Sequence, residues 1–205
     1  MAAQHGDGTA TQLRLHGRGG QGTVTAAELL AVAAFEDGLY AQAFPSFGSE
    51  RMGAPVEAYC RVGSKPIRTR EPVARPDVVI VQDPTLLGQV NLFGGLTSSG
   101  FVIVNASRPV QELDLDGLMG LIPLTNIVSV PATRIALEHV GRPTPNSALL
   151  GALSALTGLI SPAGIIHALE HRFAPAIADA NSRAVREAYD VVVAERGEVI
   201  SAAAN

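Results

Sequence analysis

Apolar and polar positions change period several times along the chain, and each change marks an element. Leu13 to His16 alternates as a half-buried strand does, then gives way to glycines at 17, 19, 20 and 22. From Thr23 the pattern becomes helical, with Val24, Ala27, Leu30 and Ala31 on one face, and this helix is predicted to end near Gly38. Leu39 to Phe44 reads as a second strand. Val56 to Val62 alternates again with one wetter face, and Gly63-Ser64 signals a turn. Pro66 to Arg70 is expected to return from that turn as the other arm of a hairpin. Val78 to Asp83, Phe101 to Asn105 and Ile127 to Val130 are mostly apolar runs, as in strands buried on both faces. Asp83 is placed to cap a short helix reaching about Asn91, which Gly94-Gly95 would break. Helical periodicity then dominates: Pro131 to Val140, Asn146 to Leu159, Pro162 to Phe173, and about Ala176 to Arg196, with Asn146 and Ser161 as cap formers. Ala148 to Leu156 is apolar nearly all round, so it is expected to be a central helix or to meet another subunit.

Strands alternating with helices predict an α/β fold: a Rossmann-like, parallel-rich sheet flanked by helices, with an inserted β-hairpin and a helical C-terminal part. A length of 205 residues suits one such domain, over 12–196, between a polar tail (1–11) expected to be flexible and a loose C-terminal tail (197–205). The chain is 47% hydrophobic but only 4% aromatic, which favours close helix-on-sheet packing by small side chains. A net charge of −4 speaks against nucleic acid or an anionic membrane as partner. The single cysteine, Cys60, excludes a disulfide framework or an iron–sulfur cluster held by this chain alone, and its apolar strand context predicts a buried thiol. No apolar run approaches membrane-spanning length and no leader pattern is visible, so a cytoplasmic protein is expected.

Candidate chemistry concentrates in the glycine-rich turn. A strand, a glycine loop and a helix start place free N–H groups and a positive dipole end together, a ready anion site, with Arg18 in the loop and hydroxyls on Thr23 and Thr25. Gly17-x-Gly19-x-x-Gly22 matches the dinucleotide fingerprint literally. That reading requires a carboxylate at the end of the second strand, whereas Glu36 and Asp37 fall before it. No Lys-Ser/Thr pair follows, so the Walker loop also fails. A free-standing nucleotide-binding protein and a tight turn without ligand remain as alternatives. Gly6-Asp7-Gly8 lacks both a preceding strand and the later asparagine of a thiamine-diphosphate site and reads as tail.

Two other stretches qualify. Pro45 to Pro55 is a long loop carrying Phe47, Glu50, Arg51 and Met52, suited either to a partner surface or to an Ω-like loop packed on Phe47. Arg61, Lys65, Arg68, Arg70 and Arg75 make the next segment basic, as a solvated hairpin face would be. His167 and His171 have metal-pair spacing but no third ligand. No Gly-x-Ser-x-Gly elbow or His-Glu-x-x-His is present, so catalysis by this chain alone is not expected.

His16-Gly-Arg-Gly-Gly-Gln-Gly22 with Thr23 to Leu30, Tyr40 to Gly48, Arg51 to Pro55, Asp83 to Leu87 and Asn146 to Ala152 together resemble the γ subunit of the 2-oxoacid:acceptor (ferredoxin) oxidoreductases, over roughly residues 12 to 195. The resemblance implies a subunit, not catalytic alone, of an enzyme that oxidatively decarboxylates a 2-oxo acid to its acyl-CoA. It implies thiamine diphosphate, Mg²⁺ and iron–sulfur clusters in partner alpha, beta and ferredoxin-like delta subunits, and ferredoxin or an NAD-reducing subunit as electron acceptor. It implies for this chain a role in assembly and on the coenzyme A side of the active site. Gly17, Arg18, Gly19, Gly20, Gln21, Gly22 and Thr23 would then meet coenzyme A phosphates, and Ser46, Glu50 and Arg51 would shape the active-site or subunit boundary. Gln82 departs from the apolar residue the resemblance leads one to expect before Asp83.

Overall fold

Six strands hydrogen-bond in the order β2-β3-β1-β4-β5-β6 in a computed structural model that describes residues 10–46, 52–115, 117–118 and 120–203. β1 (Thr11–Arg18), β4 (Val78–Val81), β5 (Phe101–Asn105) and β6 (Ile127–Val130) run parallel. β3 (Pro55–Gly63) lies antiparallel to both β1 and β2 (Tyr40–Pro45). Five helices follow the pattern of the sequence: α1 (Thr23–Glu36), α2 (Ala132–Val140), α3 (Asn146–Thr157), α4 (Pro162–Arg172) and α5 (Pro175–Ala203). All five contribute to one apolar cluster, with Leu13, Leu15, Ile80, Ile103 and Val128 from the sheet. The opposite face is covered by irregular segments bearing Leu86, Leu92, Leu96, Val110, Leu118 and Ile122 over Val79, Val81, Val102 and Val104. The α/β, parallel-rich architecture is thus as expected.

Several details differ. The hairpin is formed by β2 and β3; Pro66 to Arg70 carries no strand, because β3 already has β1 and β2 on its two edges. After Asp83 only a 3-10 turn forms (Pro84–Leu86), since Gly88 at φ 73° turns the chain away. β1 starts at Thr11, inside the anticipated tail, and α5 runs to Ala203, past Arg196. The buried face of α1 is Thr23, Ala26, Ala27, Leu29, Leu30, Ala33 and Ala34, with Val24 and Ala31 partly buried against the same core. Asn146 is the first residue of α3 rather than its cap. α3 is covered nearly all round, as its composition required: Leu149, Leu150 and Leu153 are fully buried, each burial stabilising by about 2 kcal/mol. Ser161 and Asp83 do cap, accepting from the amides of Gly164 and Thr85.

Candidate functional site at the strand crossover

The chain leaves β1 through α1 to reach β2 and β3 on one side, while β4, β5 and β6 extend the sheet to the other. The carboxyl ends of β1 and β4 therefore border the place where strand order reverses, the position at which open α/β sheets bind ligands. Gly17 to Gln21 emerges from β1 there and Gln82-Asp83 from β4. The loop is held on two sides by main chain: Gly19 N–H donates to Ala54 O (3.0 Å), and Gly53 N–H donates to Gly19 O (3.2 Å). Gln21 closes it internally. Its Oε1 accepts from the Arg18 amide (2.8 Å), and its Nε2 donates to Asp83 Oδ2 (2.6 Å).

Gly22, at φ 76°, is the N-cap of α1 and supplies no side-chain acceptor, and no acidic residue stands in the first turn. That helix start therefore presents amides and a positive dipole end without a side-chain cap among the described residues. A cavity of about 530 Å³ opens on it, lined by Arg18, Gly19, Gly20, Gly22, Thr23, Val24, Thr25, Met52 and Val56. Thr23 Oγ1 and both side-chain polar atoms of Gln82 are buried without a hydrogen-bond partner among the described residues. Both converge on Gly17, where a Cβ would lie 2.3 Å from Thr23 Oγ1 and 2.9 Å from Gln82 Oε1; only glycine fits. Orphaned buried polar atoms beside an uncapped helix start are chemically suited to a polar ligand.

Arg18 lines the cavity, yet its guanidinium is shared among groups of its own chain. Nε and Nη2 donate to Thr85 Oγ1 (3.1 and 2.8 Å), Nη2 to Gln89 Oε1 (3.1 Å) and Nη1 to Gly53 O (3.1 Å), with Asp83 Oδ2 at 3.3 Å. It clasps three segments together. Burial alone would raise the Asp83 carboxyl, but hydrogen bonds from Thr85 and Gln21 and the Arg18 charge outweigh it and hold the carboxyl below its ordinary value. Of the other anticipated residues, Ser46 lies apart from the cavity: its amide donates to Glu57 O (3.0 Å) and its side chain reaches the Tyr59 phenol. Glu50 and Arg51, like Phe47 and Gly6-Asp7-Gly8, lie outside the described residues.

Beneath the loop lies a polar chain that alternation alone could have located, because Arg14 and His16 face away from Leu13 and Leu15. Arg14 Nε donates to His16 Nε2 (3.0 Å), which places the ring proton on Nδ1, facing Glu57 Oε1 at 3.6 Å; Tyr59 donates to Glu57 Oε2 (2.7 Å). Burial, reinforced by the Arg14 charge and only partly opposed by Glu57, pulls His16 down to about 4. Cys60 is buried, its thiol pushed up to about 12 by loss of solvent. His167 and His171 both face Glu36, at 3.9 and 3.8 Å, and no group of three or more metal-ligating side chains is assembled among the described residues. No helix among them is long and apolar enough to cross a membrane.

Comparison with known proteins gives this geometry a family. A family model for pyruvate ferredoxin/flavodoxin oxidoreductase matches residues 12–191. The gamma subunit common to the pyruvate and ketoisovalerate oxidoreductases of Pyrococcus furiosus is 47% identical over 179 residues, 87% of this chain and 95% of that protein. Pyruvate synthase subunit PorC of Methanothermobacter thermautotrophicus is 45% identical over 181 residues, covering 88% and 95%. The crystal structure of the pyruvate oxidoreductase PORC subunit from Thermotoga maritima superposes with a TM-score of 0.73 at 38% identity, covering 89% of this chain and 96% of that one. The fold also recurs, at 18% identity and a TM-score of 0.68, in 32% of the 2-oxoglutarate:ferredoxin oxidoreductase of Magnetococcus marinus, solved with 2-oxoglutarate, coenzyme A and succinyl-CoA bound. The chain belongs to the pyruvate ferredoxin/flavodoxin oxidoreductase family, as a gamma-type subunit of an oxidoreductase complex.

Proposed function

We propose that this chain supplies the coenzyme A side of a complex that oxidatively decarboxylates a 2-oxo acid to its acyl-CoA, in company with alpha, beta and ferredoxin-like delta subunits. In that assembly thiamine diphosphate, with Mg²⁺, and iron–sulfur clusters, all held by the partners, supply the decarboxylation and electron chemistry. The observation that carries the reading is the uncapped start of α1 opening on a cavity at the strand crossover, with Thr23 and Gln82 left unpartnered beside it. Backbone amides at the start of α1, Gly22 to Thr25, would take a phosphate of coenzyme A, which the helix dipole favours. Met52 and Val56 add apolar surface to the cavity lining for an uncharged part of the same molecule. Arg18 acts by holding the loop against Thr85, Gln89 and Gly53, and Ser46 belongs to the neighbouring boundary with Tyr59 and Glu57.

Thr25→Glu in the assembled complex tests this reading. A carboxylate in the first turn of α1 suits the helix dipole, so folding should not suffer. It also places like charge against an incoming phosphate, and KM for coenzyme A should rise by about 10-fold, with kcat at saturation little changed. An unchanged KM in a fully assembled complex would overturn it.

A further inference from the structure

At the opposite end of the sheet from the glycine loop, a second surface is built with care that solvation alone does not require. Between Arg61 and Arg75 fall five of the chain's 15 Lys and Arg residues and one of its 19 Asp and Glu, in a protein of net charge −4. Ser64 to Asp77 has neither helix nor strand, yet its course is fixed from within. Arg61, buried, donates from Nη1 to Thr69 O (3.2 Å) and from Nη2 to Glu71 O (2.7 Å). Arg14, also buried, donates to Val73 O (3.3 Å), and Val73 itself is buried. Gln42 of β2, its amide oriented to donate to Thr69 O (2.6 Å), accepts from Arg70 Nε (3.0 Å). Two interior guanidiniums thus serve main-chain carbonyls rather than carboxylates, and the segment is preorganised.

Lys65, Arg68, Arg70 and Arg75 stand exposed along it, and none forms an ion pair with a described carboxylate. Lys65, Arg68 and Arg75 border a concavity of about 530 Å³ that also includes Pro66, Ile67 and Pro72. The cations here are interleaved with apolar residues, as at protein interfaces, where the planar guanidinium fork engages carboxylates with little loss of freedom. We infer that the Lys65–Arg75 segment is a docking surface for an acidic face of another subunit of the same complex. The charge complementarity lies in four cations that pair with none of the described carboxylates on a chain of net charge −4, and a preformed backbone lowers the ordering cost of association.

The test uses the co-expressed complex, analysed by size exclusion with light scattering in NaCl steps from about 0.05 to 0.5 M. Arg68→Glu/Arg70→Glu/Arg75→Glu should weaken retention of this chain at least about 30-fold near 0.1 M salt and flatten its salt dependence. The neutral Arg68→Gln/Arg70→Gln/Arg75→Gln variant should fall between that and the unaltered chain. The same charge reversal on other exposed arginines, Arg108→Glu/Arg142→Glu/Arg186→Glu, should change retention by less than about 3-fold. Thermal melting of each variant chain checks that it is folded. Identical salt profiles for the unaltered and charge-reversed chains would overturn the inference. So would saturable binding of inorganic pyrophosphate, or of a short DNA duplex, that the reversal abolishes while assembly persists. The Thr25→Glu experiment reads coenzyme A in a complex already assembled, so the two proposals fail separately.

Discussion

At Gly151 the backbones of two helices approach closely, and replacing it measures how tightly the helical layer is packed. A Cβ built at Gly151 of α3 would lie 2.2 Å from the carbonyl oxygen of Val185 in α5, 2.9 Å from its carbonyl carbon and 3.0 Å from its Cα. An ordinary carbon–oxygen contact needs roughly 1 Å more. The obstacle is main chain, so no side chain can swing aside, and the surrounding Leu150, Leu153, Val185 and Ala188 are fully buried. Alanine gains about 1 kcal/mol of helix propensity over glycine. Forcing α5 away from α3 in a filled core costs about 3 kcal/mol or more. Overpacking wins, and Gly151→Ala should lose about 2 kcal/mol, a fall in Tm of about 4–8 °C for a domain of this size. Gly197 in α5 is the matched control: exposed, with nothing within 4 Å of its built Cβ, so Gly197→Ala should leave Tm unchanged or raise it slightly. Scanning calorimetry of both variants reads the difference. If Gly151→Ala melts at or above the unaltered protein, the close approach of α3 and α5 is refuted.

His16 makes stability depend on pH in a defined direction. Its pKa is about 4 in the folded chain against an ordinary 6.5, so the unfolded chain binds more protons between those values and stability falls as pH drops through that window. The loss should approach about 3 kcal/mol near pH 4. Urea unfolding of His16→Gln should show a shallower slope over the same range, and parallel slopes would dismiss the effect. Acid-labile pairs such as His139–Glu187 are common to both proteins and cancel in the difference. Arg18 should behave as a clasp rather than as a free charge. Both Arg18→Ala and Arg18→Lys should raise KM for coenzyme A by about 3–10-fold, because one ammonium cannot reach Thr85, Gln89 and Gly53 together. Full rescue by lysine would return Arg18 to the role of a simple cation.

Much of this architecture was legible in residue order because local period and burial agree. Ile127 to Val130 is a strand with the bounds its apolar run indicates, and α2 ends at Val140, ahead of a left-handed Gly141. Pairing was less legible. Alternation in Val56–Val62 announces a strand but not its neighbours, so Pro66 to Arg70 looked like a partner although β1 and β2 take both edges. The stretch from Pro84 to Leu92 shows a second limit: Asp83-Pro84 starts a helix well, but Gly88 at positive φ and Leu86 turning into the apolar face stop it after one 3-10 turn. At the site, the glycines and Thr23 stand where the pattern put them. What residue order could not reveal is which charges are already satisfied. Arg18 and Asp83 read as an exposed cation and a cap, and only the fold joins them through Thr85 and Gln21.

The main-chain bonds that tie Gly19 to Gly53 and Ala54 have a consequence for how the loop can vary. Since they run from peptide to peptide, the contour of the cavity's rim is recorded in backbone torsions rather than in any particular side chain. Gly20 and Gly53 have φ of 96° and 81° with empty space where a methyl would sit, so alanine there meets no atom and is opposed by torsional strain alone. Met52, 94% exposed at the lip, can by contrast change its size and polarity without disturbing that framework. What projects into the cavity can therefore be exchanged over a shape held constant underneath.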